Sequence, residues 1–238
     1  MKYVPSQELK GGNLYEGFDT RVPWVIGDGT MFRLIKNHKL DERESIVDIG
    51  CGNGKTLELF KNINPNASLS GIDLHESLNV DCKEEIDFHV VDLNFDPLPF
   101  GDKTKDLVFA LQVIEHLENP FYVMREVHRI LKSDGLFIFS VPNPYNFSSK
   151  LRFFVDDNMR RWNKRNDHLL FLTKDVFEKT YGEYFHIEEA HYQKGLVPIL
   201  GRFYKYFGVK TTYKNTKFLP RSKTFGDAVC YVLRKKAI

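Results

Sequence analysis

The sequence predicts an α/β fold in which helices cover both faces of a doubly wound, mostly parallel sheet. Three observations carry this expectation. First, Ser45-Ile46-Val47-Asp48-Ile49 reads as a short buried strand that passes through Gly50, Gly52 and Gly54 into a helix opened by Lys55-Thr56-Leu57. Second, the apolar run Ser68-Leu69-Ser70-Gly71-Ile72 ends in Asp73, ~20 residues past the glycine loop, where doubly wound folds place a ribose-binding acid. Third, strand-like runs at Asp106–Leu111 and Leu136–Val141 follow at the spacing of βα units.

Taken in order, residues 1–29 are rich in glycine and aromatics, with Tyr15, Phe18 and Trp24 among Gly11, Gly12, Gly27 and Gly29. They are too broken for one helix and fit either a lid over a bound ligand or a cover on the sheet edge. Thr30 to Lys39 reads as a helix with Phe32, Leu34, Ile35 and Leu40 on an irregular apolar face. Asn64-Pro65-Asn66 ends the helix after the glycine loop, and Val91-Asp92-Leu93 reads as the end of a third strand. After the fifth strand, Pro142-Asn143-Pro144-Tyr145-Asn146 is a turn-rich exit. Thr173 then caps a helix with Phe177 on its apolar face.

The glycine loop distinguishes three kinds of nucleotide site. A phosphate-binding Gly-x-x-x-x-Gly-Lys-Thr would need glycine where Ile49 stands. The dinucleotide fingerprint Gly-x-Gly-x-x-Gly would need its third glycine at Lys55. What stands is Asp-x-Gly-x-Gly-x-Gly, led by Asp48. A carboxylate there repels a pyrophosphate and suits a ligand carrying ammonium and sulfonium groups.

This loop resembles motif I of the class I S-adenosylmethionine-dependent methyltransferases. The likeness continues through Gly71-Ile72-Asp73-Leu74, Val91-Asp92-Leu93, Asp96-Pro97-Leu98-Pro99-Phe100, Gln112-Val113-Ile114-Glu115-His116-Leu117 and Arg129–Leu136, spanning residues 30–142. The resemblance implies a Rossmann-like, seven-stranded sheet, with Tyr184–Ala190 as the sixth strand and Asp227–Arg234 as an antiparallel seventh. It implies S-adenosylmethionine as cofactor, held by Asp48, Gly50, Cys51, Gly52, Asp73, Leu74, Asp92, Leu93, Leu111 and Gln112. Asp73 would bind the ribose hydroxyls and Asp92 the adenine amino group; strand-end acids can also be helix caps, and position within the series favours the cofactor role, more strongly for Asp73 than for Asp92.

Ligands of parallel α/β sheets bind beyond the carboxyl ends of the strands, so Glu115 and His116 should face the reacting end of the cofactor. With His168 they are the catalytic candidates, because a hydroxyl acceptor must lose a proton near the transition state. Within the resembled class, O-methyltransferases of the ubiquinone-biosynthesis type and small-RNA 2′-O-methyltransferases carry Glu-x-x-Glu-His and a distal histidine that hold a divalent metal. Here Gln112 replaces the first acid, leaving Glu115, His116 and His168 as a reduced ligand set beside the alternative of a histidine base.

The 238 residues suffice for a single domain, 1–238, with substrate-side insertions at 143–172 and 194–224. Three cysteines without metal or disulfide spacing fit a reducing compartment, and no stretch has the apolar length of a signal peptide or spanning helix. Cytoplasmic placement is expected, peripheral to a membrane if the insertions make contact.

Formal charge is +2, yet Lys150 to Lys223 holds sixteen Lys and Arg against eight Asp and Glu. Such a basic flap meets an anionic partner or is simply solvated. The aromatic and cationic mixture of 194–224 suits a membrane surface or a lipid- or glycan-linked acceptor. The expected activity is methyl transfer to a hydroxyl of a small molecule, sugar or lipid-linked intermediate. Two alternatives stand beside it: an RNA methyltransferase, and a non-catalytic cofactor-binding subunit of a partner. The sequence is silent on oligomeric state.

Overall fold

Five parallel strands lie side by side, and a β-hairpin-like antiparallel pair completes the sheet. The structure, a computed structural model, describes residues 23–159, 161–163, 166–194 and 221–237. Its strands are β1 (Ser45–Ile49), β2 (Ser68–Asp73), β3 (Ile86–Val90), β4 (Lys105–Leu111), β5 (Leu131–Pro142), β6 (Phe185–Tyr192) and β7 (Ala228–Lys235). Across the sheet they run β3-β2-β1-β4-β5-β7-β6, with β7 antiparallel to both neighbours. The chain winds outward from β1 to one edge, returns to β4 and winds to the other. The cleft at that reversal lies over the carboxyl ends of β1 and β4, where open α/β sheets bind ligands.

Alternation along each strand sorts the core into two layers. Val47, Ile49, Val108, Phe137, Phe139, Val229 and Tyr231 share one face with Val123, Val127 and Phe177. Those partners come from α4 (Pro120–Ile130) and α6 (Lys174–Thr180). Ile46, Leu107, Phe109, Ile138, Cys230 and Val232 share the other face with Trp24, Val25, Met31, Leu34 and Phe60. Here α1 (Trp24–Gly27), α2 (Thr30–His38) and α3 (Lys55–Ile63) supply the cover. Central strands buried on both sides explain why β4 reads as a continuous apolar run rather than an alternating one.

Local chemistry sets the helix ends. Gly54, at φ 83°, is the amino-terminal cap of α3, and Asn64 caps its other end. Thr173 Oγ1 accepts from the Val176 amide and starts α6, as the sequence implies. In α2, Met31 and Leu34 face the sheet, which turns Phe32 outward at 57% exposure; the expectation of Phe32 on the apolar face is therefore corrected. Two strand limits also move. β3 stops at Val90, so Val91–Leu93 lies just beyond it, and β5 begins at Leu131, with a register shift opposite Lys105 and Leu107.

The exit from β5 is held by two buried asparagines. Asn143 Nδ2 donates to the carbonyls of Lys223 and Gly226 at 2.8 Å each, and Asn146 Nδ2 donates to those of Phe225 and Gly226. Asn146 Oδ1 also accepts from the Ser148 and Ser149 amides, capping α5 (Phe147–Asp156). One side chain thus starts a helix and fixes the loop entering β7.

The long connection leaves and re-enters at one place, because Lys194 bridges to Arg221. Arg221 donates to the Asp28 carbonyl and to Thr30 Oγ1, each at 3.0 Å. The core of the 194–224 insertion and the first 22 residues of the suggested lid lie outside the described residues, while Trp24 and Val25 are packed on the sheet. Among the described residues, no helix is long and apolar enough to cross a membrane.

Candidate active site

The cofactor cradle begins where β1 gives way to its glycines. Gly50, Gly52 and Gly54 all have positive φ, the region L side chains rarely take. The reasons for glycine differ. A Cβ on Gly50 would lie 2.3 Å from Val113 Cγ2, so this glycine lets the loop pass the end of β4. Around Gly52 such an atom would meet nothing within 4 Å, so the bare backbone faces open space. A cofactor fits against that surface and would be excluded by a side chain.

Asp73 anchors the loop from the next strand. Its Oδ2 accepts from the Gly52 amide at 2.9 Å and its Oδ1 from the Leu74 amide at 2.7 Å. Ser77 Oγ donates to the Gly52 carbonyl at 3.0 Å. Asp48 points into the layer beneath α3, 3% exposed. Burial pushes its carboxyl up to about 7, against a hydrogen bond from Thr56 that lowers it, with Asp73 raising it further.

The other cofactor candidates occupy different environments. The Cys51 amide donates to the Ile72 carbonyl, while its thiol packs toward Gly71 in the core and burial drives its pKa upward. Leu74 is 42% exposed beside Asp73, whereas Leu93 is buried. Asp92 Oδ1 accepts from the Asn94 amide, and its own amide donates to Asp96, so Asp92 shapes the turn after β3. Leu111 ends β4, and Gln112 follows it at φ 62°, a left-handed conformation in a residue with a side chain. The Gln112 amide is tied to the Ser140 carbonyl at 3.0 Å. That bond holds the strained turn at the carboxyl end of the strand.

Past this turn, Ile114–His116 form a single 3-10 turn, and the chain returns to it at Leu169 and Leu170. Leu169 and Leu170 amides donate to the Glu115 carbonyl at 2.7 and 3.2 Å. This pins His168 beside His116, their rings edge to face with centroids 4.8 Å apart. Glu115, His116 and His168 bring one ligand atom each to within 4.8 Å of one another. The three catalytic candidates named by the sequence therefore converge.

Glu115 is fully buried, and neither carboxyl oxygen has a hydrogen-bond partner among the described residues. Burial pushes its pKa up to about 8, with Arg161 opposing the rise and Asp167 adding to it. His168 Nδ1 lies 2.6 Å from the Arg161 carbonyl, and His116 Nδ1 lies 2.9 Å from Asp167 Oδ1. His168 thus has an oxygen acceptor at Nδ1, the arrangement that leaves its Nε2 with a lone pair for a metal, while the His116 Nδ1, close to Asp167, makes no hydrogen bond among the described residues. Burial and the neighbouring His116 hold His168 down to about 4, in the neutral form a ligand requires. A buried, unpartnered carboxyl within ligand reach of two imidazoles matches the donor set of a divalent-ion site.

Sequence reasoning passed over three of these residues. Val113 is the wall against Gly50, Thr56 is the partner of Asp48, and Asp167 is the companion of His116. The last had a signal, since it precedes His168 in Asn166-Asp167-His168.

A glycine cradle anchored by the acid after β2, on a sheet in this order, defines a class I S-adenosylmethionine-dependent methyltransferase domain. Residues 47–139 match the family described as methyltransferase domain, and the chain carries a domain of this class. It is 33% identical over 103 residues to dimethylglycine N-methyltransferase of Parasynechococcus marenigrum, covering 41% of this chain and 37% of that protein. It is 26% identical over 140 residues to 27-O-demethylrifamycin SV methyltransferase of Amycolatopsis mediterranei, covering 54% and 50%. The chain spans half or less of the length of these curated relatives. Among solved structures, a SAM dependent methyltransferase from Archaeoglobus fulgidus superposes with a TM-score of 0.61 at 19% identity, covering 91% of this chain and 96% of that one. The expected seven-stranded, Rossmann-like fold is what the structure shows.

Proposed function

We propose that the protein transfers a methyl group from S-adenosylmethionine to a hydroxyl acceptor, and that Glu115, His116 and His168 hold a divalent metal at which that hydroxyl is positioned. The observation that carries this reading is Glu115, buried with both oxygens unpartnered among the described residues, within ligand reach of His116 and of His168, whose Nδ1 is engaged by the Arg161 carbonyl. An orphaned carboxyl costs on the order of 1–3 kcal/mol, a penalty that a bound ion removes.

Relatives with both amine and hydroxyl acceptors match this chain, so the glycine cradle does not select between them. The metal-type cluster favours a hydroxyl. An amine acceptor needs only to be neutral, whereas a hydroxyl must lose a proton, and a Lewis acid lowers the pKa of a bound hydroxyl. The competing role of His168 as general base fits less well. A base whose conjugate acid has a pKa of about 4 takes up a proton poorly at neutral pH.

The cofactor supplies an electrophilic methyl group on a sulfonium. The protein's share is mainly placement, since the displacement needs oxygen, carbon and sulfur in line. Gly52 exposes backbone to the cofactor, Asp73 accepts from its hydroxyls, and Asp48 places negative charge near its cationic end. Val113, packed against Gly50, joins the cradle to the turn that carries Glu115 and His116. Glu115, His116 and His168 fix the acceptor oxygen, with Asp167 and the Arg161 carbonyl orienting the two rings.

Metal alone provides the test. Isothermal titration of the metal-stripped protein with Zn2+ or Mn2+ should give one site, absent in Glu115→Gln and weakened in His168→Ala. A wild-type protein that takes up neither ion would remove the metal from this reading and leave the cofactor assignment standing.

A further inference from the structure

α5 is amphipathic the wrong way round. At 100° per residue, Phe147, Leu151, Phe154 and Val155 fall at spacings of four, seven and eight and form one stripe. In an ordinary surface helix that stripe would face the core. Here all four are exposed, Phe154 at 87% and Val155 at 79%, while Ser149 on the opposite side is buried at 1%. Ser149 is the contact with the protein, Lys150 and Arg152 are exposed as well, and the apolar stripe, with Phe153 at 50% exposure beside it, is presented outward.

Cations frame the stripe. Lys150 lies on the helix beside Phe147 and Phe154, and Arg152 lies on the other flank, next to Leu151 and Val155. At the start of the helix, Lys223 Nζ sits 4.0 Å and Lys150 Nζ 5.9 Å from the centroid of the Tyr145 ring. Neither lysine has a carboxylate partner among the described residues. Two ammonium groups gathered at one aromatic ring favour an anion nearby. Asn143 and Asn146 hold Lys223 there by fixing the loop 223–227. This cationic end is therefore built into the fold.

We propose that α5 docks on an anionic phospholipid surface, with Phe147, Leu151, Phe154 and Val155 entering the interface and Lys150 and Lys223 meeting headgroup phosphates. An apolar face bordered by cations with an aromatic at its edge is the composition of interfacial helices. Charge weighs against a second copy of this chain as the occupant, because both sides of an isologous contact would carry the same cationic border of Lys150 and Lys223. The inference stands on the α5 face and Tyr145, apart from the acceptor reading, and places membrane contact on a different element from the 194–224 insertion.

Sedimentation with vesicles tests it without any methyl transfer. The full chain should bind phosphatidylcholine vesicles containing a third phosphatidylglycerol and bind pure phosphatidylcholine vesicles at least tenfold more weakly. Binding to the anionic vesicles should fall in 0.5 M salt, by roughly fivefold for each of Lys150→Glu and Lys223→Glu, and tenfold or more for Leu151→Glu/Phe154→Glu. Calorimetric titration with S-adenosylmethionine should be unchanged in these variants, confirming that each is folded. No binding to either vesicle, or equal binding by wild type and variants, would overturn the proposal. So would a wild-type dimer that Leu151→Glu/Phe154→Glu converts to monomer, which would assign the stripe to self-association.

Discussion

Asp73 Oδ2 accepts a hydrogen bond from the Gly52 amide at 2.9 Å, joining the end of β2 to a loop 21 residues earlier. The same carboxylate accepts from Leu74 through its other oxygen. Asp73 thus shapes the loop whose open backbone receives the cofactor, and it stands where a ribose would lie. Shape and recognition depend on one side chain.

Asp73→Ala should therefore weaken S-adenosylmethionine binding more than a lost contact alone would. Hydrogen bonds to charged groups contribute about 1.5–3 kcal/mol each, so removal of the ribose contacts and of the loop anchor predicts a loss of roughly 100-fold or more. Calorimetry reads it. A loss below about fivefold, after the conversion of ~1.4 kcal/mol per decade, would show that Asp73 is only a loop anchor.

Gly50 and Gly52 should separate stability from binding. Gly50→Ala drives a methyl into Val113 Cγ2 and should lower the melting temperature, with partial recovery in Gly50→Ala/Val113→Ala. Gly52→Ala meets no protein atom within 4 Å and carries only the backbone strain of φ 50°, about 1 kcal/mol. It should fold near normally and lose cofactor affinity by at least tenfold. Thermal denaturation with and without S-adenosylmethionine distinguishes the two.

Asp48 gives a pH signature. Its folded pKa of about 7 lies above the ordinary aspartate value, so between pH ~4 and ~7 the folded cofactor-free protein keeps a proton that the unfolded chain releases. Stability from this group is full below that window and is lost as pH rises through it. A cationic cofactor favours the ionised form, so binding below pH 7 should expel a proton and strengthen by up to about tenfold per pH unit, levelling above 7. Asp48→Asn should flatten the slope and raise the melting temperature of the cofactor-free protein at pH 8. A pH-independent affinity in the wild type would contradict this assignment.

What the sequence disclosed and what it withheld follow one line. Glycines at 50, 52 and 54, strand-end Asp73 and the Thr173 cap are local signals, because backbone conformation and capping act over a few residues. The meeting of Glu115 with His168 was anticipated only as a candidate set, and its geometry depends on amides 54 and 55 positions away bonding one carbonyl. Phe32 was misread for a related reason, and the outward turn of the α5 stripe shows only in the structure. Apolar periodicity tells which residues share a face and not whether that face turns inward. The core of the second insertion, residues 195–220, lies outside the described residues.

Glu115→Gln brings site and stability together. In the metal-free protein, Glu115 has a pKa of about 8 against an ordinary glutamate value of 4.5, so its contribution to stability declines as pH rises between those values. Glutamine has no proton to lose and fills the same volume, so the variant should melt higher than wild type at pH 8.5 when both are metal-free. Adding a divalent ion should reverse the order. Ligation stabilises only the protein that binds, by about 2.7 kcal/mol at a hundredfold excess over Kd, and the glutamine variant lacks the anionic donor. Differential scanning fluorimetry across pH, with chelator and then with Zn2+ or Mn2+, records both comparisons. If the variant melts lower than wild type under chelation, Glu115 is structural, held by a partner interaction that glutamine cannot reproduce. If the order survives metal addition, the buried carboxyl binds no ion and the acceptor hydroxyl must lose its proton elsewhere.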